Sequence, residues 1–550
     1  MKMLKIGSIL ISVLLITSCA KEPDFDILIK NGKIVDGSGE SAFTGDVGIN
    51  ADTIDFIGNS ENKTAKQEID ATGLVVSPGF INMLSWAASA LNKDGRSIGD
   101  IKQGVTLEVF GEGSSIGPQK KIDTVNNTIE WISLNEKLQA MVIKGVSPNI
   151  ASFIGATTLR INTVGYEDRP PTAIELDSMK MMVEQAMEEG AMGIGSSLIY
   201  APAFYSSTEE LIEISKVAAE YDGLYISHIR SEGNKLLESI DELLRIAKEA
   251  NIRAEIYHLK MSGKDNWHKF DDVVAKIDSA RKSGLTITTN MYSYIAGSTG
   301  LDASMPPWVQ EGGYDKWAER LQDPKIRKKV LEDMRKPAIE WESLMQAAGS
   351  ADKMILVGFD NDSLRYLTGK TLAEVAKMRN TTPEETAMDL VVQNGSDVST
   401  VYFMMSEENV KKQIALPWMS FGSDAGSYAT EGDFLKYSTH PRAYGNFARV
   451  IGKYTRDEKL ISLEEAIRKL TSLPASNLKI KKRGSLKAGN YADIAIFDYD
   501  KVQDHATFEK PHQYATGMVH VFVNGTHVLK DGEHTGKKPG RVVKGPGYVK

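Results

Sequence analysis

The central part of the chain alternates short apolar runs with amphipathic helical stretches, and this alternation limits the possible folds more than any other feature. The strand-like run 224–228 is followed by a helical stretch over 236–250, and the run 253–258 by another over 270–283. Such regular alternation is typical of a parallel sheet built from βα units. Several runs end in a polar residue, where a (β/α)8 barrel carries its chemistry. The sequence therefore predicts an α/β, TIM-like barrel over residues 79–474.

Both ends of the chain differ from this middle part because they consist of short β-rich runs separated by turns. Asn31-Gly32 and Asn524-Gly525 each separate two such runs, and Asn-Gly between β-rich runs predicts a hairpin. Two β-rich ends around a different middle indicate that the termini meet. We expect a small β-sandwich domain formed by residues 24–78 and 475–550.

A charged, helix-rich stretch interrupts the barrel pattern at residues 306–394, and we expect it to be a helical insertion over the active site. The chain as a whole has 550 residues, a formal net charge of −8 and 25% charged residues, which are ordinary globular values. They exclude a disordered chain. The acidic balance, without a dense Lys/Arg run, also argues against nucleic acid as a partner.

The N-terminus has the pattern of a secretory signal peptide: a basic start, a short apolar stretch and small residues before Cys19. Cys19 is the only cysteine, so a disulfide framework is excluded. Ile-Thr-Ser-Cys at residues 16–19 resembles the bacterial lipobox, in which the cysteine is acylated; an ordinary signal peptide with an incidental cysteine is the alternative. The lipobox predicts a lipoprotein in a bacterial cell envelope, and Ala20 follows Cys19 where an Asp would typically retain the lipoprotein in the inner membrane. It would be tethered to the outer membrane, facing the periplasm or the surface, and would contact membrane only through this anchor.

Two histidines end neighbouring strand-like runs of the predicted barrel. His228 ends one run and His258 ends the next, one strand–helix–strand step further along the chain. Two imidazoles on neighbouring strand ends can share one metal ion, and histidine with carboxylate suits Zn²⁺ at about 2.0–2.2 Å. A single histidine at a strand end is as often an ordinary hydrogen-bonded residue. Because the two occur in register, the sequence predicts a metal site.

The remaining functional groups are predicted to be carboxylates. Glu112 lies between two glycines straight after a strand-like run, and glycines allow the backbone an unusual path there. Glu108 on the same run is the competing ligand, and a solvated loop glutamate is the alternative for Glu112. Asp424 ends an apolar strand and begins a loop of small residues, where it could act as a base, although such clusters also form ordinary turns.

These residues, in this order, resemble the amidohydrolase superfamily and within it the D-aminoacylase (N-acyl-D-amino-acid deacylase) branch. The resemblance runs over nearly the whole chain that follows the signal peptide. Its specificity comes from the order and spacing of many short motifs, among them Val76-Ser77-Pro78-Gly79-Phe80-Ile81, Gln103-Gly104-Val105-Thr106, His228-Ile229-Arg230-Ser231-Glu232, His258-Leu259-Lys260, Gly422-Ser423-Asp424 and His440-Pro441-Arg442-Ala443-Tyr444-Gly445.

The resemblance implies a (β/α)8 barrel with a β-sandwich made by both termini, and metal-dependent hydrolysis of the amide bond of N-acyl-D-amino acids. It makes His228 and His258 metal ligands and Asp424 the general acid/base. The partner implied is a small-molecule N-acyl amino acid; no oligomeric state is predicted. The positions at which relatives hold the substrate carboxylate are Tyr200, Lys260, Tyr292 and Ser298.

The chain departs from the family pattern at two places. Most of the superfamily has His-x-His after Pro-Gly-Phe-Ile-Asp, where this chain has Leu84 and Trp86, which cannot bind a metal. The branch usually carries Gly-Asn-Cys-Gly where residues 111–114 read Gly-Glu-Gly-Ser, so the cysteine ligand is missing and Glu112 sits one residue from its place. A related deacetylase type holds a single zinc with one glutamate and two histidines. We therefore expect one Zn²⁺, bound by Glu112 and the two histidines.

The expected chemistry is attack of a water molecule on the acyl carbon. Asp424 would take the proton and deliver it to the leaving nitrogen, while the metal polarises the acyl oxygen with His268 or a backbone donor as a helper. Two alternatives stay open: another amidohydrolase, such as a dipeptidase or a cyclic-amide hydrolase, and a non-catalytic lipoprotein that binds ligands or cell-wall fragments. Lys260 discriminates the deacylase from the first alternative, since a free α-carboxylate needs a cation. The absence of the His-x-His motif favours the second alternative, the non-catalytic lipoprotein.

Overall fold

The computed structural model describes residues 22–123 and 128–549. The predicted signal peptide over 1–19 and the lipidation site Cys19 lie outside the described residues. Strands from both ends of the chain form one nine-stranded sheet, and β5 pairs with β20 where the two ends meet. Its strands are β1 Phe25–Ile34, β2 Phe43–Asn50, β3 Thr53–Gly58, β4 Ala65–Asp70, β5 Val75–Pro78, β20 Ile494–Phe497, β21 Met518–Val523, β22 Thr526–Lys530 and β23 Glu533–His534.

The Asn-Gly at residues 31–32 is not the predicted hairpin. β1 runs straight through it, with a register shift against β2 between Ile29 and Gly32, so it is a bulge. Asn31 has φ +62°, and its backbone N–H donates to Asp46 Oδ1 at 2.8 Å. The partner on the other edge of β1 changes there from β4 to β5. Asn524-Gly525 does form the predicted hairpin between β21 and β22.

The middle of the chain forms the predicted barrel of eight parallel strand positions, the third of which is split in two. A hydrogen bond from Met83 N to Phe421 O (3.2 Å) joins the first position to the last, and one from Met192 N to Ser152 O (3.0 Å) joins the third to the fourth. The strands are β6 Phe80–Asn82, β7 Val105–Phe110, β10 Asn149–Ser152 with β11 Ile154–Gly155, β12 Gly193–Ser197, β13 Leu224–His228, β14 Arg253–Ile256, β15 Ile287–Met291 and β19 Met419–Phe421.

Helices connect the barrel strands and bury one face against them. In α7, Leu236, Ile240, Leu243 and Ile246 recur at helical spacing and are all buried. The helices outside the insertion are α1 Ala88–Lys93, α2 Ile98–Ile101, α3 Leu134–Lys144, α4 Ala156–Thr163, α5 Ala173–Glu188, α6 Thr208–Glu220, α7 Leu236–Glu249, α8 Phe270–Lys282, α14 Glu407–Ala415, α15 Arg442–Arg449 with its π-helical continuation Val450–Asp457, α16 Leu463–Leu470 and α17 Ser472–Asn477. Between β7 and α3 lies a hairpin of β8 Gln119–Asp123 and β9 Thr128–Ile132.

The insertion lies between β15 and β19 and is longer than the predicted range 306–394. Its helices are α9 Tyr314–Gln322, α10 Pro324–Arg335, α11 Leu344–Ala348, α12 Leu372–Arg379 and α13 Pro383–Asn394. It also contains an antiparallel sheet in the order β16 Ala296–Gly300, β18 Ser399–Phe403, β17 Met354–Gly358. The sequence pattern does not predict this sheet, because its strands are short and lie far apart in the chain.

The last described segment leaves the terminal sheet and runs along the barrel, although the predicted boundaries assign it to the β-domain. Val542 bridges Ile150 of β10, and Gly545 N donates to Gly190 O at 2.9 Å. This approach requires Gly540, where a Cβ would lie 2.0 Å from Pro148 O. Among the described residues, no helix combines the length and apolar character needed to cross a membrane.

Candidate metal centre and substrate cavity

The carboxyl ends of the barrel strands surround a cavity of about 760 Å³. Glu112 follows β7, His228 ends β13, His258 follows β14 and Asp424 follows β19, and all four side chains line this cavity. This is the face of a (β/α)8 barrel at which catalytic residues are found. The structure therefore brings together the four residues that the sequence analysis names as ligands and base.

Glu112, His228 and His258 offer ligand atoms that all lie within 4.8 Å of one another. Glu112 Oε1 is 2.7 Å from His258 Nε2 and 3.3 Å from His228 Nδ1. The competing carboxylate, Glu108, is buried on β7 and accepts hydrogen bonds from Asn82 (3.0 Å) and Ser97 (3.1 Å) instead. Glu112 is thus the carboxylate that reaches both imidazoles.

Backbone conformations that favour glycine place Glu112 in the cavity. Gly111 and Gly113 have φ of +107° and +65°. A Cβ at Gly111 would lie 2.5 Å from Phe153 O, and one at Gly113 would lie 2.4 Å from Ser197 Cβ. The glycines on either side of Glu112 therefore allow both the backbone path and the close approach to the neighbouring strand.

His258 and Asp424 also have left-handed backbone conformations, with φ of +31° and +50°. Their amides are held from the neighbouring strands: His258 N donates to Asn290 Oδ1, and Asp424 N donates to Leu84 O, each at 2.9 Å. Non-glycine residues in this region are strained by about 1–3 kcal/mol and persist only where the surroundings fix them. These hydrogen bonds hold the backbone of both residues in this conformation.

A buried ion pair lies behind the imidazoles. Lys260 Nζ donates to both oxygens of Glu232 at 2.6 and 2.7 Å, and Glu232 Oε1 is 3.0 Å from His258 Nδ1. Burial raises the pKa of Glu232, but His228, Lys260 and His258 outweigh it and hold that pKa well below its usual range. Glu232 is therefore a carboxylate that orients His258.

The two imidazoles differ in protonation because their neighbours differ. Burial lowers the pKa of His228. Burial and Lys260 also lower the pKa of His258, but the carboxylates of Glu112 and Glu232 raise it to about 9. Burial raises the pKa of Glu112, and His258 and His228 reverse this and hold it well below its usual range. The cluster therefore carries a positive charge between its carboxylates.

Asp424 is contacted by two side chains. Its Oδ2 is 2.9 Å from Arg442 NH1, and its Oδ1 accepts a hydrogen bond from Trp86 Nε1 at 3.2 Å. Burial raises the pKa of Asp424, and Arg442 opposes this. A carboxylate whose pKa is raised by its site is suited to general acid–base work near neutral pH.

The four predicted substrate residues line the same cavity as the candidate ligands. They are Tyr200, Lys260, Tyr292 and Ser298. The ammonium group of Lys260 is already paired with Glu232, so its role toward a substrate carboxylate stays a prediction. His268, named from the sequence as a helper of the reaction, is exposed and does not line the cavity.

Three residues of the site are not predictable from their local sequence: Trp86, Glu232 and Arg442. The motifs His-Ile-Arg-Ser-Glu and His-Pro-Arg contain two of them but give no role to the glutamate or to the arginine. Arg442 is 2% exposed and its guanidinium lies 4.4 Å from the centre of the Tyr292 ring. It is a second buried cation of the cavity.

The donor set fits a metal ion. Two ring nitrogens and a carboxylate oxygen converge, and the buried His228 Nε2 has no hydrogen-bond partner among the described residues. Three nitrogen and oxygen ligands with room for a fourth are typical of catalytic zinc sites.

The profile of the Amidohydrolase family matches residues 141–529. The D-aminoacylase of Alcaligenes xylosoxydans xylosoxydans is 29% identical over 532 residues, which cover 94% of this chain and 97% of that protein.

Solved structures agree with this match. A crystal structure of D-aminoacylase, described as defining a novel subset of amidohydrolases, superposes with a TM-score of 0.79 at 29% identity, covering 94% of this chain and 100% of that chain. The N-acyl-D-glutamate deacylase of Bordetella bronchiseptica, in complex with zinc and a phosphonate inhibitor, superposes with a TM-score of 0.78 at 26% identity. The match covers 94% of this chain and 99% of that chain. The predicted fold class and the resemblance are confirmed, and the chain belongs to the amidohydrolase family.

Proposed function

We propose that this protein hydrolyses the amide bond of N-acyl-D-amino acids with one zinc ion held by Glu112, His228 and His258. The observation that carries the proposal is the convergence of these three ligand atoms within 4.8 Å, next to Asp424, at the carboxyl ends of the barrel strands. The D-aminoacylase and N-acyl-D-glutamate deacylase relatives support the reaction class, and the zinc complex of the latter supports the metal.

When bound, zinc supplies a Lewis acid that polarises the acyl carbonyl and lowers the pKa of water. Asp424 accepts the proton of the attacking water at Oδ1, because Arg442 lies against Oδ2 and disfavours a proton there. The same carboxyl group then protonates the leaving nitrogen. Glu232 holds His258 in place throughout, through its 3.0 Å contact with Nδ1.

Arg442 is the cation best placed to bind the α-carboxylate of such a substrate. It is buried against Tyr292, its NH1 lies 2.9 Å from Asp424 Oδ2, and its Nε has no hydrogen-bond partner among the described residues, so part of the guanidinium is left for a ligand. Lys260 instead neutralises Glu232. We therefore assign the carboxylate to Arg442 and Tyr292, with the hydroxyl groups of Tyr200 and Ser298 in the same cavity.

A substrate panel at known zinc content tests the proposal. The purified protein is loaded with zinc, its metal content is measured by elemental analysis, and amine release is followed from N-acetyl-D- and N-acetyl-L-amino acids. We expect hydrolysis of D-substrates that disappears on chelation and returns with zinc. The ion pair between Lys260 and Glu232 leaves a second candidate, a cyclic-amide hydrolase, so a 5-substituted hydantoin and a dipeptide belong in the panel. Turnover of those alone, or of none, contradicts the proposal.

We further propose that the mature protein is a lipoprotein anchored through Cys19 to the outer membrane, facing the periplasm or the surface. The signal-like start and the lipobox-like residues 16–19 support this. Metabolic labelling with a fatty acid should label the parent protein and should not label the Cys19→Ala variant. Label in the variant, or an unlabelled parent protein in the soluble fraction, contradicts the anchor.

A further inference from the structure

Trp86 connects the candidate ligand to the candidate base. Its indole Nε1 lies 2.9 Å from Glu112 Oε2 and 3.2 Å from Asp424 Oδ1, so one N–H group faces both carboxylates. The ring lines the cavity and is 46% exposed. Trp86 therefore makes polar contacts with two functional carboxylates in addition to its packing contacts.

The backbone holds Trp86 between the segments that carry those carboxylates. Ser85 N donates to Val109 O of β7 at 2.9 Å, and Trp86 N donates to Ala425 O at 3.0 Å. Ser85 and Ala425 also form a parallel bridge. The position of the indole is therefore set by the same strand ends that set Glu112 and Asp424.

The hydrogen bond from Trp86 determines which oxygen of Glu112 is presented to the imidazoles. Oε2 accepts the indole N–H, and Oε1 lies 2.7 Å from His258 Nε2 and 3.3 Å from His228 Nδ1. Ligating carboxylates are commonly oriented by such outer hydrogen bonds, and losing one typically costs about 10–100-fold in metal affinity or activity. The indole thus favours a single-oxygen contact by Glu112.

The same N–H lies between two carboxylate oxygens that could otherwise face a second cation. Indole nitrogen donates a hydrogen bond but has no lone pair for a metal. In two-metal hydrolases the ions lie about 3.5–4 Å apart and share the reaction between them. Here a neutral donor lies between Glu112 Oε2 and Asp424 Oδ1.

We propose that Trp86 is a positioning residue that presents Glu112 Oε1 to one metal ion and takes the place of a second cation between Glu112 and Asp424. The inference rests on the proposed function, since it needs a metal at Glu112, His228 and His258. It gives a role to Trp86, which is not one of the proposed metal ligands.

Trp86→Phe tests the first part because it keeps an aromatic ring and removes the N–H group. Trp131, on the β8–β9 hairpin, is 40% exposed and does not line the cavity, so Trp131→Phe is the matched control. Zinc affinity is measured by competition with a chromophoric chelator, alongside the Tm of the metal-free proteins. We expect about 10–100-fold weaker zinc binding in Trp86→Phe, with a metal-free Tm like that of the parent, and no change in the control.

Equal zinc affinity in Trp86→Phe and the parent would overturn this part. A parent protein that binds no zinc would instead overturn the proposed function, so the two failures are distinguishable. A weaker affinity that follows a lowered metal-free Tm would also count against a specific role of the N–H group.

Trp86→His tests the second part independently. An imidazole there would join Glu112 Oε2 and Asp424 Oδ1, which now accept the indole N–H, in a set of one nitrogen and two oxygens. We expect elemental analysis after dialysis against excess zinc to find a second equivalent in Trp86→His and one equivalent in the parent and in Trp86→Phe. One equivalent of zinc in all three proteins would overturn the proposal that the Trp86 N–H group occupies the place of a second cation.

Discussion

Asp424 lies between Arg442 and Trp86, and each of its oxygens has a different neighbour. Asp424→Asn keeps the size of the side chain but removes the group that accepts a proton. We predict normal zinc content and a kcat lower by about 10²–10⁴-fold, because general acid–base catalysis contributes that much. Asp433 is an exposed carboxylate of the same cavity, so Asp433→Asn is the control. A kcat for Asp424→Asn within a few-fold of the parent would remove Asp424 from the mechanism.

Glu112 provides the negative charge of the proposed ligand set. Glu112→Gln keeps the hydrogen bond from Trp86 but replaces an anionic ligand by a neutral amide, so we predict loss of zinc on dialysis. Glu108→Gln should keep its zinc, because Glu108 is bonded to Asn82 and Ser97 instead of facing the imidazoles. Elemental analysis of both variants decides the choice between the two carboxylates. Zinc lost from Glu108→Gln and kept by Glu112→Gln would reverse the assignment.

At the residue scale, the sequence predicts those functional side chains that stand at a recognisable place in the chain, such as the end of a strand or a position between glycines. His228 and His258 are visible because each ends a strand-like run, and Glu112 because glycines flank it. The partners that orient them are not visible. Trp86 follows the first barrel strand and contacts Asp424, which follows the last one. The local sequence around either residue does not predict that contact.

At the scale of elements, the turn after β7 determines whether Glu112 enters the cavity. Gly111→Ala would place a Cβ 2.5 Å from Phe153 O at φ +107°. We predict a loss of about 1–3 kcal/mol in stability from overpacking, and weaker zinc binding. Gly73→Ala is the matched control, since Gly73 has φ +77° but a Cβ there would have no described atom within 4 Å. Equal Tm and zinc affinity in the two variants would show that the close approach to Phe153 is unimportant.

The elements themselves are predicted to different degrees. Helices such as α6 and α7 follow from their apolar spacing, and strands β13 and β15 follow from short runs rich in apolar, aromatic and β-branched residues. Asn31-Gly32 is wrong as a hairpin because the same dipeptide fits a bulge when β1 has partners on both edges. Local propensity does not specify which of the two forms, since the choice depends on strands elsewhere in the chain.

At the scale of the whole molecule, the fold class follows from the order of elements, but the walls of the cavity do not. The insertion contributes β16 and β17, whose residues Ser298 and Val357 line the cavity together with strand ends of the barrel. The pairing of β16 with β18 spans a long stretch of chain. A sequence pattern shows that an insertion is present, whereas its docking against the barrel depends on long-range packing.

Zinc bound at the proposed site would stabilise the whole molecule, because the unfolded chain does not bring Glu112, His228 and His258 together. A ligand that binds only the folded state at 100 times its Kd adds about 2.7 kcal/mol. We therefore predict that chelation lowers the Tm of the parent, that zinc restores it, and that the rise grows with the logarithm of free zinc. Glu112→Gln should have nearly the same Tm with and without zinc, whereas Asp424→Asn should respond like the parent, because Asp424 lies outside the ligand set. Scanning calorimetry at fixed protein concentration makes the comparison, and a Tm of the parent that is independent of zinc would mean that these three side chains do not form a metal site.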